Sequence, residues 1–74
     1  MEKLTVQKKL AVALRRRREA LEFSQERFAD SIGMHRAYYS GLERGERNLT
    51  IQTLTRVAKG LKTDIATLAK QAGI

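Results

Sequence analysis

The sequence predicts an all-α domain, a compact bundle of five short helices. Three observations carry that expectation. Apolar residues recur three and four positions apart through most of the chain, the spacing of one helical face. Val, Ile and Thr never alternate with polar residues over a long window, so strand signals are few. Proline is absent from the 74 residues, and no repeat, low-complexity tract or linker interrupts the pattern. Residues 1–74 therefore read as one domain.

The first helix is expected from about Thr5, a good N-cap, to Leu21, with Val6, Leu10, Ala13, Leu14 and Leu21 as its apolar stripe. Within it stand Arg15, Arg16, Arg17 and Arg18. Successive helical residues turn through about 100°, so four adjacent guanidiniums cannot share a face and most are solvated. Arg18 lies beside the Leu14/Leu21 stripe and needs an anion.

Ser24 caps the second helix, and Phe23 just before the cap is placed to pack on Phe28. Phe28, Ala29 and Ile32 face inward. Gly33 ends the helix with the left-handed backbone of a tight turn, and Met34 tucks in behind it. A third helix follows over His35 to Glu43, with Tyr39 and Leu42 inward and Arg36, Ala37, Tyr38, Ser40 and Gly41 outward.

Gly45 closes that helix, and a polar loop runs through Glu46, Arg47 and Asn48 to Leu49. Thr50 caps a fourth helix with a core stripe of Ile51, Leu54, Val57, Ala58 and Leu61. Thr63 is expected to cap a fifth, beginning at Asp64 and burying Ile65, Leu68, Ala69 and Ala72.

Composition narrows the functional classes. Fifteen Lys and Arg against eight Asp and Glu give a net charge of +7, a surface that attracts nucleic acid before other partners. There is no cysteine for a disulfide or thiolate site, and the single histidine, His35, has no partner ligands in the sequence. Neither a metal nor another cofactor is expected, and no small-molecule ligand. No apolar run reaches the roughly 20 residues of a membrane span and no signal segment is visible, so a cytoplasmic protein is expected. No Ser/His/Asp set, paired carboxylates or phosphate-cradling glycine loop supports an enzyme. An aromatic content of 5% offers few platforms for stacking RNA bases.

Residues 24–44 are the centre of the chain. Small Ala29 lets two helices approach steeply, Gly33 makes the turn, and Phe28, Ile32, Met34, Tyr39 and Leu42 wedge the pair together. These are the physical needs of a helix-turn-helix. On its outward face, Arg36 has a guanidinium able to donate two bonds to guanine O6 and N7. Ala37 can meet a thymine methyl or simply permit close approach. Tyr38 can reach a phosphate or a base edge, and Ser40 can bond either. His35 can cap the third helix or touch a phosphate.

The stretches SQERFA (24–29), IGM (32–34) and YYSGLERGERN (38–48), with the apolar spacing from Ile51 to Leu61, resemble the Cro/phage-repressor-type (XRE) helix-turn-helix family over about residues 10–70. Within it, HRAYYSGLERGERNLTIQTL (35–54) is most similar to the controller proteins of restriction–modification systems. The resemblance implies a lambda-repressor-like fold, a phosphate contact from Gln25, and base contacts from His35, Arg36, Ala37, Tyr38 and Ser40. It also implies backbone contacts from Arg44, Arg47 and Asn48, and a buried ion pair between Arg18 and Glu43. His35 and Ala37 depart from the family pattern at positions that vary with the operator, so the target sequence is not carried over.

The expected function is a sequence-specific transcriptional regulator that binds double-stranded DNA as a homodimer on a pseudo-palindromic operator. As a controller it would act on its own promoter and a neighbouring endonuclease gene, with RNA polymerase as a further partner. No separate dimerisation domain is expected, so dimer contacts should come from residues 50–74, with Ile65, Leu68 and Ile74 as candidates. A phage-type repressor, or an antitoxin-like protein-interaction module, is the alternative on the same fold.

Overall fold

The computed structural model describes residues 5–74. Five helices follow in order: α1 (Val6–Ala20), α2 (Gln25–Ser31), α3 (Arg36–Glu43), α4 (Ile51–Gly60) and α5 (Ile65–Gln71). The described residues contain no strand, as the spacing predicts. No helix among them is long and apolar enough to cross a membrane.

Each helix opens on a side chain that satisfies an otherwise orphaned amide. Thr5 accepts from Lys8 N at 3.1 Å, Ser24 from Arg27 N at 3.1 Å and Thr50 from Thr53 N at 3.1 Å. The cap of α5 is Asp64, not the expected Thr63: its carboxylate accepts from Thr67 N at 2.7 Å. A carboxylate is the stronger acceptor facing the positive end of a helix, so the start moves one residue on.

Gly33 and Gly45 close α2 and α3 with φ of +63° and +71°. By contrast, α1 and α4 end on non-glycine residues in the same left-handed region, Glu22 and Lys62.

The core is built where the helices converge. Leu14, Phe28, Ala29, Tyr39, Val57, Leu61 and Leu68 are fully buried. Phe28 sits at its centre, 5.0 Å from the Tyr39 ring and 5.7 Å from Phe23, which packs on it edge-on. α2 packs on α3, α1 lies between α3 and α5, and α5 also meets α4. At the end of α4, Gly60 leaves the space that Ile32 and the Phe28 ring occupy, so α4 rests on α2.

Three stripe residues fall outside the core: Ala69 of α5, which is half-buried, and the first residues of α1 and α4. Val6 is 58% and Ile51 70% exposed. Both stand directly after the capping threonine of their helix. Ala11, outside the expected stripe, is buried instead. The basic run of α1 is divided as its geometry requires. Arg15 and Arg16 are exposed. Arg17 reaches across to the end of α4, donating to Leu61 O at 2.9 Å and Lys62 O at 3.2 Å. Arg18 turns inward.

Candidate nucleic-acid interface

The interface is assembled from behind α3. Arg18 donates from Nε to Glu43 Oε2 at 2.6 Å and from Nη2 to Glu43 Oε1 at 3.0 Å, a bidentate pair between α1 and α3. Its Nη1 donates to Phe23 O at 2.6 Å, which fixes the link into α2 as well. The side chains are 8% and 2% exposed, so the pair is buried as the sequence and the resemblance imply. Burial pushes the Glu43 carboxyl upward, but the Arg18 guanidinium, the Tyr39 hydroxyl beside it and the Gln25 amide together outweigh it and hold Glu43 below the usual carboxylate range. The Tyr39 hydroxyl is buried beside this charge with no hydrogen-bond partner among the described residues. Burial and the Glu43 charge raise it far above an ordinary phenol, so it stays neutral.

Gln25 and Ser40 join this lock and do not stand open. Gln25 Nε2 donates to Glu43 Oε1 at 3.0 Å, and Ser40 Oγ donates to Gln25 Oε1 at 2.7 Å. Both residues are half-buried at the seam between α2 and α3.

The open part of the surface lies on the first turn of α3 and on the loop beyond it. His35 is the N-cap, its Nδ1 accepting from Ala37 N at 3.2 Å, which leaves Nε2–H facing outward. Arg36 and Ala37 are exposed. Arg36 lies 4.0 Å from Glu26, with both side chains about two-thirds exposed. Such a pair is worth at most about 1 kcal/mol and is easily exchanged for another acceptor. Arg44 is held by Glu46 at 2.8 Å in an equally exposed pair, and Asn48 is exposed.

Arg47 and Tyr38 form one layer. The guanidinium lies 5.6 Å from the Tyr38 ring centroid, a cation–π contact that keeps Tyr38 half-buried. The stem of Arg47 crosses α3 at Gly41, where a Cβ would stand 2.8 Å from Arg47 Cγ. Gly41, expected to face outward, is therefore buried, covered by a side chain from the loop after its own helix.

Three further contacts carry no sequence signal that periodicity could detect. Arg56 of α4 donates from Nε to Ile32 O at 3.0 Å and from Nη2 to both Ile32 O and Gly33 O, at 2.5 and 2.8 Å. It thus satisfies the carbonyls that the turn after α2 leaves without helical partners. Gln7 Nε2 donates to Gly45 O at 2.8 Å, and Lys8 packs against Gly45. Only an accounting of unpaired turn carbonyls, not spacing, would have raised these residues.

α4 and α5 form a groove lined by Thr55, Ala58, Lys59, Thr63, Ile65 and Ala66. The exposed Ile51 stands on the same helix, one turn before Thr55. Leu68, a candidate for pairing two copies, is fully buried in the monomer core and is withdrawn from that role, while Ile74 is 56% exposed.

A helix-turn-helix family model matches residues 14–74. The control protein C.SmaI of Serratia marcescens is 40% identical over 65 residues, 88% of this chain and 77% of that protein. The restriction–modification controller protein C.Esp1396I, solved as a tetramer with its natural 35 base-pair operator, superposes with a TM-score of 0.83 at 29% identity, covering 97% of this chain and all of that one. The clp gene regulator ClgR of Corynebacterium glutamicum has the same fold, with a TM-score of 0.92 at 24% identity over 97% of this chain and 92% of its own.

Proposed function

The chain belongs to the helix-turn-helix family and groups with its control proteins, and from that premise we propose that it is a sequence-specific DNA-binding transcriptional regulator, the controller of a restriction–modification system. One observation carries the reading. The first turn of α3 is open to solvent at Arg36 and Ala37, while the same helix is fixed from behind by a buried bidentate ion pair. A rigid helix with an exposed guanidinium at its start is the arrangement that direct reading of a major groove requires. The net charge of +7 supplies the attraction to phosphates that brings the two together.

Arg36 reads a base, and Ala37 gives it room. Gln25, Arg44, Arg47 and Asn48 hold phosphates around it, with His35 and Tyr38 at the edge. The ion pairs of Arg36 with Glu26 and of Arg44 with Glu46 exchange for nucleic-acid acceptors on binding. One copy reads only a few base pairs, so two copies bind a pseudo-palindromic operator with half-sites about 34 Å apart. Pairing uses the α4–α5 face, where Ile51, Ile65 and Ile74 retain exposed apolar surface. The targets are its own promoter and an adjacent endonuclease gene, where the bound protein meets or blocks RNA polymerase in the cytoplasm.

The test is enrichment of duplexes from a random pool by the wild-type protein, followed by anisotropy titrations. Arg36→Ala should reduce the affinity for the enriched duplex to that for a scrambled one, with the helical circular dichroism unchanged. Equal wild-type affinity for the enriched and scrambled duplexes would defeat the claim of specificity.

A further inference from the structure

A chain of hydrogen bonds runs from the core to the surface of α3, and its polarity is fixed at the buried end. Arg18 can only donate, and the ionised Glu43 can only accept. At Glu43 Oε1, Gln25 must therefore present its amide nitrogen, at 3.0 Å. Its carbonyl then faces Ser40, and the Ser40 hydroxyl must donate to it, at 2.7 Å. Two consequences follow. The donor of Ser40 is engaged within the protein and is not available to a phosphate oxygen. One hydrogen of the Gln25 amide is held by Glu43, and the other is aimed by the same two contacts.

We propose that Ser40 is a positioning residue for Gln25: it fixes the amide so that the second Nε2–H is presented to a DNA phosphate, and it makes no contact with a base or phosphate of its own. The proposal rests on the DNA-binding reading and deepens it. Without Ser40 the Gln25 side chain has one anchor in place of two. Part of the gain from a ready-made donor is then lost to ordering it on binding. A phosphate contact carries no sequence information, so the loss falls equally on all sequences.

The experiment compares Ser40→Ala, Gln25→Ala and the double variant on an enriched duplex and a scrambled duplex of equal length, at a temperature where melting curves show all of them folded. Ser40→Ala should weaken both duplexes by about 3- to 10-fold, the scale of one hydrogen bond, leaving their ratio unchanged. The double variant should bind no more weakly than Gln25→Ala alone, and Ser40→Thr, which keeps the hydroxyl, should recover the loss. Unchanged affinity for Ser40→Ala overturns the proposal. So does a loss confined to one base pair, a loss that adds in full to that of Gln25→Ala, or a loss that tracks the folded fraction. If the wild type enriches no duplex at all, the DNA-binding reading itself fails and takes the proposal with it.

Discussion

α2–α3 and α4–α5 are both pairs of short helices joined by a tight left-handed turn, yet they are held in different ways. The first pair is tied by directional polar contacts from outside itself, with Arg18 of α1 on Glu43 and Arg56 of α4 on the Ile32 and Gly33 carbonyls. The second pair is held through the apolar contacts of Leu54, Val57, Leu61 and Leu68, with Arg17 on the carbonyls of its link. Hydrophobic contact is non-directional, whereas a bidentate guanidinium fixes orientation as well as distance. A helix that must enter a groove in one register needs the second kind of support. The α4–α5 face, proposed above to meet another copy, can rely on the first.

The largest test of this difference removes the buried anion. Glu43→Ala leaves Arg18 buried and unpaired and should cost about 3–5 kcal/mol, a large part of what a small domain has. Thermal melting followed by circular dichroism should show a collapse of the transition, and an unchanged midpoint would refute the pairing. The pH dependence has a definite sign. Because the folded carboxyl is held below its ordinary value of 4.5, its stabilisation is complete above that value. It is lost as pH falls through the lower folded one. The double variant Arg18→Met/Glu43→Leu should recover much of the stability and lack this part of the acid limb.

What the sequence makes legible follows the same divide. Helix periodicity, the Ser and Thr caps and the two glycine stops are local signals, and they locate α1 to α4 and the turn at Gly33. The family resemblance supplies Glu43 as the partner of Arg18, and Arg18 itself is legible because a charge beside an apolar stripe demands one. Gly41 and Arg47 are not, since a surface-phase glycine gives no hint that a side chain six residues later will cover it. Arg17 and Arg56 bond to backbone carbonyls 44 and 24 positions away, contacts to which no side-chain pattern corresponds. The outward residues Arg36 and Ala37 are found by elimination from the core. Ser40 is found by the same logic and Gln25 through the family resemblance, but their mutual bond emerges only when α2 and α3 are packed.

A smaller effect separates the turn from the core beneath it. Arg56→Ala removes three hydrogen bonds from the carbonyls after α2, at a site where the guanidinium is exposed and water can replace it. About 1 kcal/mol of stability should be lost, within the range of a hydrogen bond to a charged group discounted for exposure. Amide exchange should rise first at Gly33 and Met34. Faster exchange spread evenly over α4 and α5 would mean that Arg56 supports its own helix and not the reading pair.

The smallest effect has the opposite sign and comes from the other link. Gly33 and Lys62 occupy equivalent places after α2 and α4, with φ of +63° and +57°. A side chain in that region costs roughly 1–2 kcal/mol that glycine avoids, while glycine gives back about 0.5–1 kcal/mol through the freer unfolded chain. Lys62→Gly should therefore stabilise the domain by about 0.5 kcal/mol and raise its melting midpoint by a few degrees. Arg17 bonds the carbonyl of Lys62, not its side chain, so that contact survives the change. A lower midpoint would mean that the lysine side chain contributes more to the α4–α5 link than its strained backbone costs. The contrast between a glycine turn after α2 and a tolerant turn after α4 would then have to be given up.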